Sequence, residues 1–97
     1  MRVLVTGGCG FIGYHLIACL AERNHDIVVL DDLSTGVASR LPEGAALIQG
    51  DVADRALCDR AMAGVEACVH LAAIASVHVC QEDWTRATQV NLLDTVN

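Results

Sequence analysis

Apolar positions follow two rhythms along the chain. Val3, Leu4 and Val5 form an unbroken run inside Arg2–Thr6, and glycines end it. Short runs of this kind, rich in β-branched residues, predict strands. Ile12, Leu16 and Leu20 then recur every four residues with Cys19 alongside, which predicts a helix with those residues facing inward. Asn24 stands where a left-handed cap would stop that helix. Ile27–Leu30 is continuously apolar, as expected of a strand covered on both faces. Residues 32–44 read as loop, and Ala46–Gln49 as a third, weaker strand. Asp54 is placed to cap a second helix, with Leu57, Cys58, Ala61 and Met62 on one side and Gly64 at its end. Ala67–Leu71 predicts a fourth strand. A loop through Ser76 and His78 leads to a last helix from about residue 83, with Ala87, Val90, Leu93 and Val96 inward, and Asn97 falls within it.

Strands alternating with helices imply a parallel sheet with right-handed crossovers. The expected fold class is α/β: a Rossmann-type doubly wound parallel sheet, incomplete, of about four strands in the order 3-2-1-4. Ninety-seven residues make one small domain at most, without repeats or linkers. Yet 54% of them are hydrophobic, above the usual ~45–50%, which suggests apolar faces meant for neighbours. With the fourth strand left as an open edge, self-association is expected.

Other properties exclude function classes. The net charge of −6 argues against nucleic acid or an anionic membrane surface as partner. No apolar run is long enough to span a bilayer, and glycines interrupt the start where a signal peptide would continue, so a cytoplasmic location is expected. Cys9, Cys19, Cys58, Cys68 and Cys80 include no C-x-x-C pair and are odd in number; they read as reduced, mostly buried small residues.

The chemistry lies in the first turn. Gly8, Gly10 and Gly13 satisfy G-x-G-x-x-G, and Gly7, Gly10 and Gly13 satisfy G-x-x-G-x-x-G. The match follows a strand, opens a helix and precedes a second strand ending in Asp31, the context that gives this motif meaning. One glycine permits the tight turn, Gly10 lets a pyrophosphate approach, and Gly13 allows close helix packing on the first strand. N–H groups at Phe11 and Ile12 would face the phosphates, where the helix dipole favours an anion by about 0.3–1 kcal/mol. Asp31 would accept hydrogen bonds from adenosine ribose hydroxyls and repel a 2′-phosphate, which favours NAD over NADP. Asp32 has the same sign, and Arg40 is the one nearby opposing charge. The plainer alternative is that the glycines only make turns and Asp31 is a solvated strand end.

Four stretches in order carry a resemblance: Thr6 to Gly13, Asp31 to Gly36, Gly50-Asp51-Val52 and His70-Leu71-Ala72-Ala73. Together they resemble the extended short-chain dehydrogenase/reductases, in the NAD-dependent epimerase/dehydratase group that acts on nucleotide sugars. The resemblance implies that Phe11 and Ile12 contact the pyrophosphate. It implies that Asp31, Asp32, Leu33, Ser34, Thr35 and Gly36 wrap the adenosine ribose. Asp51 and Val52 would flank the adenine, with the Asp51 carboxylate accepting from the exocyclic amine. Leu71, Ala72 and Ala73 would lie beneath the nicotinamide-side ribose, Asn91 would support the cofactor site, and Val77 would begin the substrate side. Two departures stand out. Asp94-Thr95 replaces the group's usual Gly-Thr, and its catalytic Tyr-x-x-x-Lys is absent, since Tyr14 is the one tyrosine and there is no lysine. Residues 1–97 are therefore expected to form the N-terminal half of an NAD-binding domain, without the C-terminal substrate region and with no catalytic residue.

Other candidates have plainer roles. His70 reads as a hydrogen-bonded strand histidine rather than a base. His78 and Cys80 are too few for zinc, so no metal site is expected. Ser76 lacks a placed base. Asp54 is a cap, Trp84 an interior or interface anchor and Met62 core filler. Three functional readings remain: part of a nucleotide-sugar epimerase or dehydratase, a short dinucleotide-binding or regulatory module, or a remnant that neither folds nor binds.

Overall fold

The computed structural model describes residues 1–34, 41–73 and 82–93, with side chains described as far as residue 91. Strand β1 (Arg2–Thr6) is buried along nearly its whole length, because Val3, Leu4 and Val5 offer apolar surface to both faces. Strand β2 (Asp26–Asp31) pairs with it in parallel, from Arg2 opposite Asp26 to Thr6 opposite Leu30. Strand β3 (Ala46–Gln49) flanks β2, and strand β4 (Ala67–His70) flanks β1, both parallel. The order is the predicted one, β3-β2-β1-β4.

Helices cover both faces. Alternate side chains of a strand point to opposite sides. Val3 and Val5 of β1, with Ile27 and Val29 of β2, meet Ile17 of helix α1 (Phe11–Glu22). Leu4, Val28 and Leu30 meet Leu57 and Ala61 of helix α2 (Arg55–Ala61) on the other side. Burying a side chain such as Ile17 contributes about 1.5–3 kcal/mol. Both helix ends follow their sequence signals. Asn24 adopts φ +61 after α1, and its N–H donates to Ala21 O while that of His25 donates to Leu20 O, closing a Schellman motif. The Asp54 carboxylate accepts from Leu57 N–H at 3.1 Å. Helix α3 (Trp84–Thr88) starts at Asp83, whose carboxylate accepts from Arg86 N–H, and runs on into a wider π-helical turn, Gln89–Leu93. Its Ala87 and Val90 are buried as expected.

Several expectations need correction. The inward face of α1 runs through Gly13 and Ile17, with Leu16 and Leu20 half-buried beside them. Ile12 is 67% exposed, because the first turn lines a cleft rather than the core. Cys19 is exposed, since two residues beyond Ile17 a helix has turned about 200° away. Of the four described cysteines Cys9 is buried and Cys58 half-buried, while Cys68 is exposed because β4 is an edge strand. Met62, at the C-cap of α2, is exposed, and Trp84 is 70% exposed and therefore no interior anchor. Thr35, Gly36, Arg40, Ser76, Val77, His78, Cys80, Asp94, Thr95 and Val96 lie outside the described residues, as does the Leu93 side chain.

Candidate functional site

The carboxyl ends of the strands open onto one cleft, and the glycine turn forms its base. Just past β1, Gly7 adopts φ +68, and a Cβ there would meet Ala72 N at 2.8 Å. Only glycine fits both the conformation and the space. A Cβ on Gly13 would lie 2.6 Å from Gly8 Cα. Its absence lets α1 press against the glycine turn itself, one step beyond the predicted contact with β1. Gly10 caps α1 without a side chain, and the cleft is open at that point. The first N–H groups of α1, at Phe11 and Ile12, therefore have no side-chain cap and present positive partial charge to the cleft.

Asp31 closes β2 opposite this turn, and its carboxylate is nearly buried. Oδ2 accepts from Cys9 N–H at 2.9 Å, and Oδ1 accepts from Leu33 N–H at 2.7 Å. A carboxylate offers about four acceptor sites, so two N–H donors leave room for a pair of hydroxyls. Burial first, and then the neighbouring Asp31 carboxylate, push the Cys9 thiol up and keep it protonated. Leu33 turns the chain at φ +62, packs toward the core and does not line the cleft. Asp32 and Ser34 do, joined by a 2.9 Å bond from Ser34 N–H to Asp32 Oδ1.

The opposite wall is set by Thr6. Its hydroxyl accepts from Leu71 N–H at 3.0 Å and from Ala72 N–H at 3.3 Å. A hydroxyl has two acceptor lone pairs and one proton. With that capacity it also hydrogen-bonds to His70 Nδ1, 2.6 Å away. The expected hydrogen-bonded strand histidine is thus in place. Leu71, Ala72 and Ala73 leave β4 from this knot and line the cleft.

The far end is built by the segment after β3 and by α3. Asp51 Oδ1 accepts from Ala53 N–H at 2.9 Å, while Oδ2 pairs with Arg86 Nη2 at 2.9 Å. The Ala53 bond first, and then Arg86, hold the Asp51 carboxyl below the ordinary aspartate range, against the opposing push of burial. Val52 and Val90 add apolar surface on either side. The whole cleft encloses about 440 Å³, in the range of small-molecule sites.

The structure thus gathers Gly7, Gly10, Phe11, Ile12, Gly13, Asp31 and Asp32 with Ser34, Asp51, Val52, Leu71, Ala72 and Ala73. Asn91, exposed on the π-helical turn, is not in the lining. Sequence reasoning missed Arg86, Leu30 and Gly50, and read Val90 only as core. Gly50 stands inside a quoted motif and was within reach; Arg86 had no signal, because its partner lies 35 residues away. Among the described residues no three His, Cys, Asp or Glu side chains are placed to hold a metal ion, and no helix is long and apolar enough to cross a membrane.

Residues 3–97 match the NAD dependent epimerase/dehydratase family. The chain belongs to that family. It is 35% identical to a putative UDP-glucose 4-epimerase of Methanocaldococcus jannaschii over 96 residues, 98% of this chain and 32% of that protein. It is 38% identical to the UDP-glucose 4-epimerase of Corynebacterium glutamicum over 102 residues, 99% of this chain and 31% of that one. Among solved structures it resembles the UDP-glucose 4-epimerase of Thermus thermophilus in complex with NAD, with a TM-score of 0.91 and 41% identity over 99% of this chain and 32% of that one. The Thermotoga maritima enzyme with UDP-glucose gives a TM-score of 0.94 and 33% identity over the same shares, 99% and 32%. This member of the epimerase/dehydratase family spans about a third of the length of the relatives it matches.

Proposed function

We propose that this chain holds NAD as the N-terminal part of an NAD-dependent nucleotide-sugar epimerase or dehydratase. The observation that carries the reading is the cleft itself, which joins a bare helix N-terminus to a two-sited carboxylate. The cleft fits the cofactor on three counts. The uncapped first turn at Gly10 to Gly13 suits a pyrophosphate. Asp31 keeps acceptor sites for the ribose hydroxyls, and with Asp32 it sets negative charge against a 2′-phosphate. Val52, Val90 and Leu71 supply apolar walls for flat rings. Bound NAD supplies a hydride acceptor and donor at its nicotinamide ring. The protein's part, in the residues described, is to bind and orient.

The roles implied for Phe11, Ile12, Leu33, Thr35, Gly36, Ala73 and Asn91 belong to the same proposal, as does a nucleotide sugar as substrate of the longer proteins of this kind. We also propose that the 97-residue chain does not turn over sugars by itself, because it carries no Tyr-x-x-x-Lys pair. Self-association through the β4 edge and a cytoplasmic location, suited to free thiols, complete the reading.

Calorimetric titration with NAD⁺ and with NADP⁺ tests it. Saturable binding of NAD⁺ with much weaker NADP⁺ is expected. A chain that is folded by circular dichroism yet binds neither dinucleotide would overturn the proposal.

A further inference from the structure

The outward face of α1 carries chemistry that the cleft does not use. The helix meets the sheet through Gly13 and Ile17. His15 stands two residues from each, which turns it about 200° away from Ile17 and into solvent. Cys19 is exposed too, and lies four residues on, one turn further along the same face. An imidazole and a thiol at this spacing make the two arms of a chelate. Helical side chains lean toward the N-terminus, so the sulfur is carried over the turn that bears the ring.

The ring is also held. Phe11, one turn earlier, meets it edge-on with 4.9 Å between centroids, and Tyr14 does the same at 5.1 Å. These contacts restrict the His15 rotamer, which lowers the cost of ordering it around a ligand. Phe11 and Tyr14 are themselves exposed, so apolar surface adjoins the polar pair.

The donor types select the ligand. Thiolate with imidazole suits zinc and similar divalent ions, not magnesium or calcium, which take oxygen. A structural zinc ion takes four donors in a tetrahedron, and one helix supplies half of them. Among the described residues no third His, Cys, Asp or Glu of the same chain joins the pair. A second copy related by a two-fold axis supplies the same two donors again. Charge balances at that count. Each Cys19 S–H bond breaks as a metal–sulfur bond forms, its proton passes to solvent, and each imidazole gives a nitrogen lone pair. Two thiolates cancel the charge of a divalent ion, so the aromatic surface closes over a neutral centre.

We propose that His15 and Cys19 are half of a metal site, and that a zinc-class ion joins two copies of this chain along α1. The association is separate from pairing at the β4 edge, which needs no metal, and it does not depend on the NAD reading.

Light scattering tests it at one dilute chain concentration, with a phosphine reductant throughout, first with EDTA and then with zinc chloride. The mass with zinc is expected to be about twice that with EDTA, reached at about half an equivalent of zinc per chain. Cobalt(II) in place of zinc is expected to show the strong visible bands of a tetrahedral ion and a thiolate charge-transfer band in the near ultraviolet. Cys19→Ser and His15→Ala, both at exposed positions and checked for folding by circular dichroism, should each lose the zinc-driven step. Cys68→Ser, which removes another exposed thiol, should keep it. A wild-type mass that zinc leaves unchanged would overturn the proposal, whether or not an ion binds. A zinc-driven step that survives the loss of either ligand would overturn it as well.

Discussion

Thr6 shows how much one small side chain organises. Its hydroxyl gathers the N–H groups of Leu71 and Ala72 and hydrogen-bonds His70 Nδ1, so it sets the exit of β4 and holds the histidine ring in place. In Thr6→Val, Ala72 N–H and His70 lose this partner inside a part-buried knot, and the cost should be about 1–3 kcal/mol. Thr6→Ser keeps the hydroxyl and should recover most of it. Urea unfolding of the two variants checks this; equal midpoints would mean that the backbone ladder alone holds the turn. The sequence made Thr6 legible only as a strand residue, because a β-branched residue ending an apolar run has that sufficient explanation. The place of Asp31, at the end of β2 in the cleft, was readable because a strand-ending acid follows the glycines at a set distance. Arg86 was not, because an ion pair across 35 residues leaves no periodic trace.

At the level of elements, the strands were the most legible. Runs such as Val3–Val5 and Ile27–Leu30 are apolar on both faces, so no choice of phase arises. Helix α1 was harder, because apolar residues at 12, 16, 17, 19 and 20 support more than one inward stripe. Tertiary context decided between them: the cleft claims Ile12 and the sheet claims Ile17. The half-buried edge strand β4 has a consequence for association. It pairs with β1, exposes Cys68 and His70 on one face, and stands at the end of the sheet as described. Unpaired edges of this sort recruit other strands. Light scattering on a size-exclusion column should show mass rising with concentration. A monomer at every concentration tried would count against the self-association we propose.

The molecule as a whole is acidic, and acid should act on it at a definite place. Asp51 has a carboxyl pKa lowered by the Ala53 N–H bond and by Arg86. A group whose pKa is depressed in the folded state adds stability that is fully present above the ordinary aspartate value, about 3.9, and is lost as pH falls through the lowered one. Asp51→Asn has no such titration. The difference in urea midpoint between wild type and variant should stay level at pH values above the ordinary aspartate range and close only as pH falls below it. A gap that persists in acid would show that the Asn variant fails for a reason other than charge. The strand order was legible at this scale by analogy with doubly wound folds, in which the first strand stands between the second and the fourth. The meeting of α3 with the end of β3 was not, because no rule of sequence spacing couples those two segments.

The anchoring of Asp31 bears on how dinucleotide preference can evolve. The residue we propose to select between ribose and phosphate also supports the backbone at Cys9 and Leu33. A mutation toward the phosphorylated dinucleotide would remove the repelling charge and, in the same step, orphan two N–H groups, one of them buried. Each loss of that kind weighs about 1–3 kcal/mol in a domain whose total stability is of order 10 kcal/mol. Selectivity and foldedness thus share one carboxylate. Lineages that change cofactor must first gain stability elsewhere or rebuild the Cys9 and Leu33 turns, and drift at this position alone is closed to them.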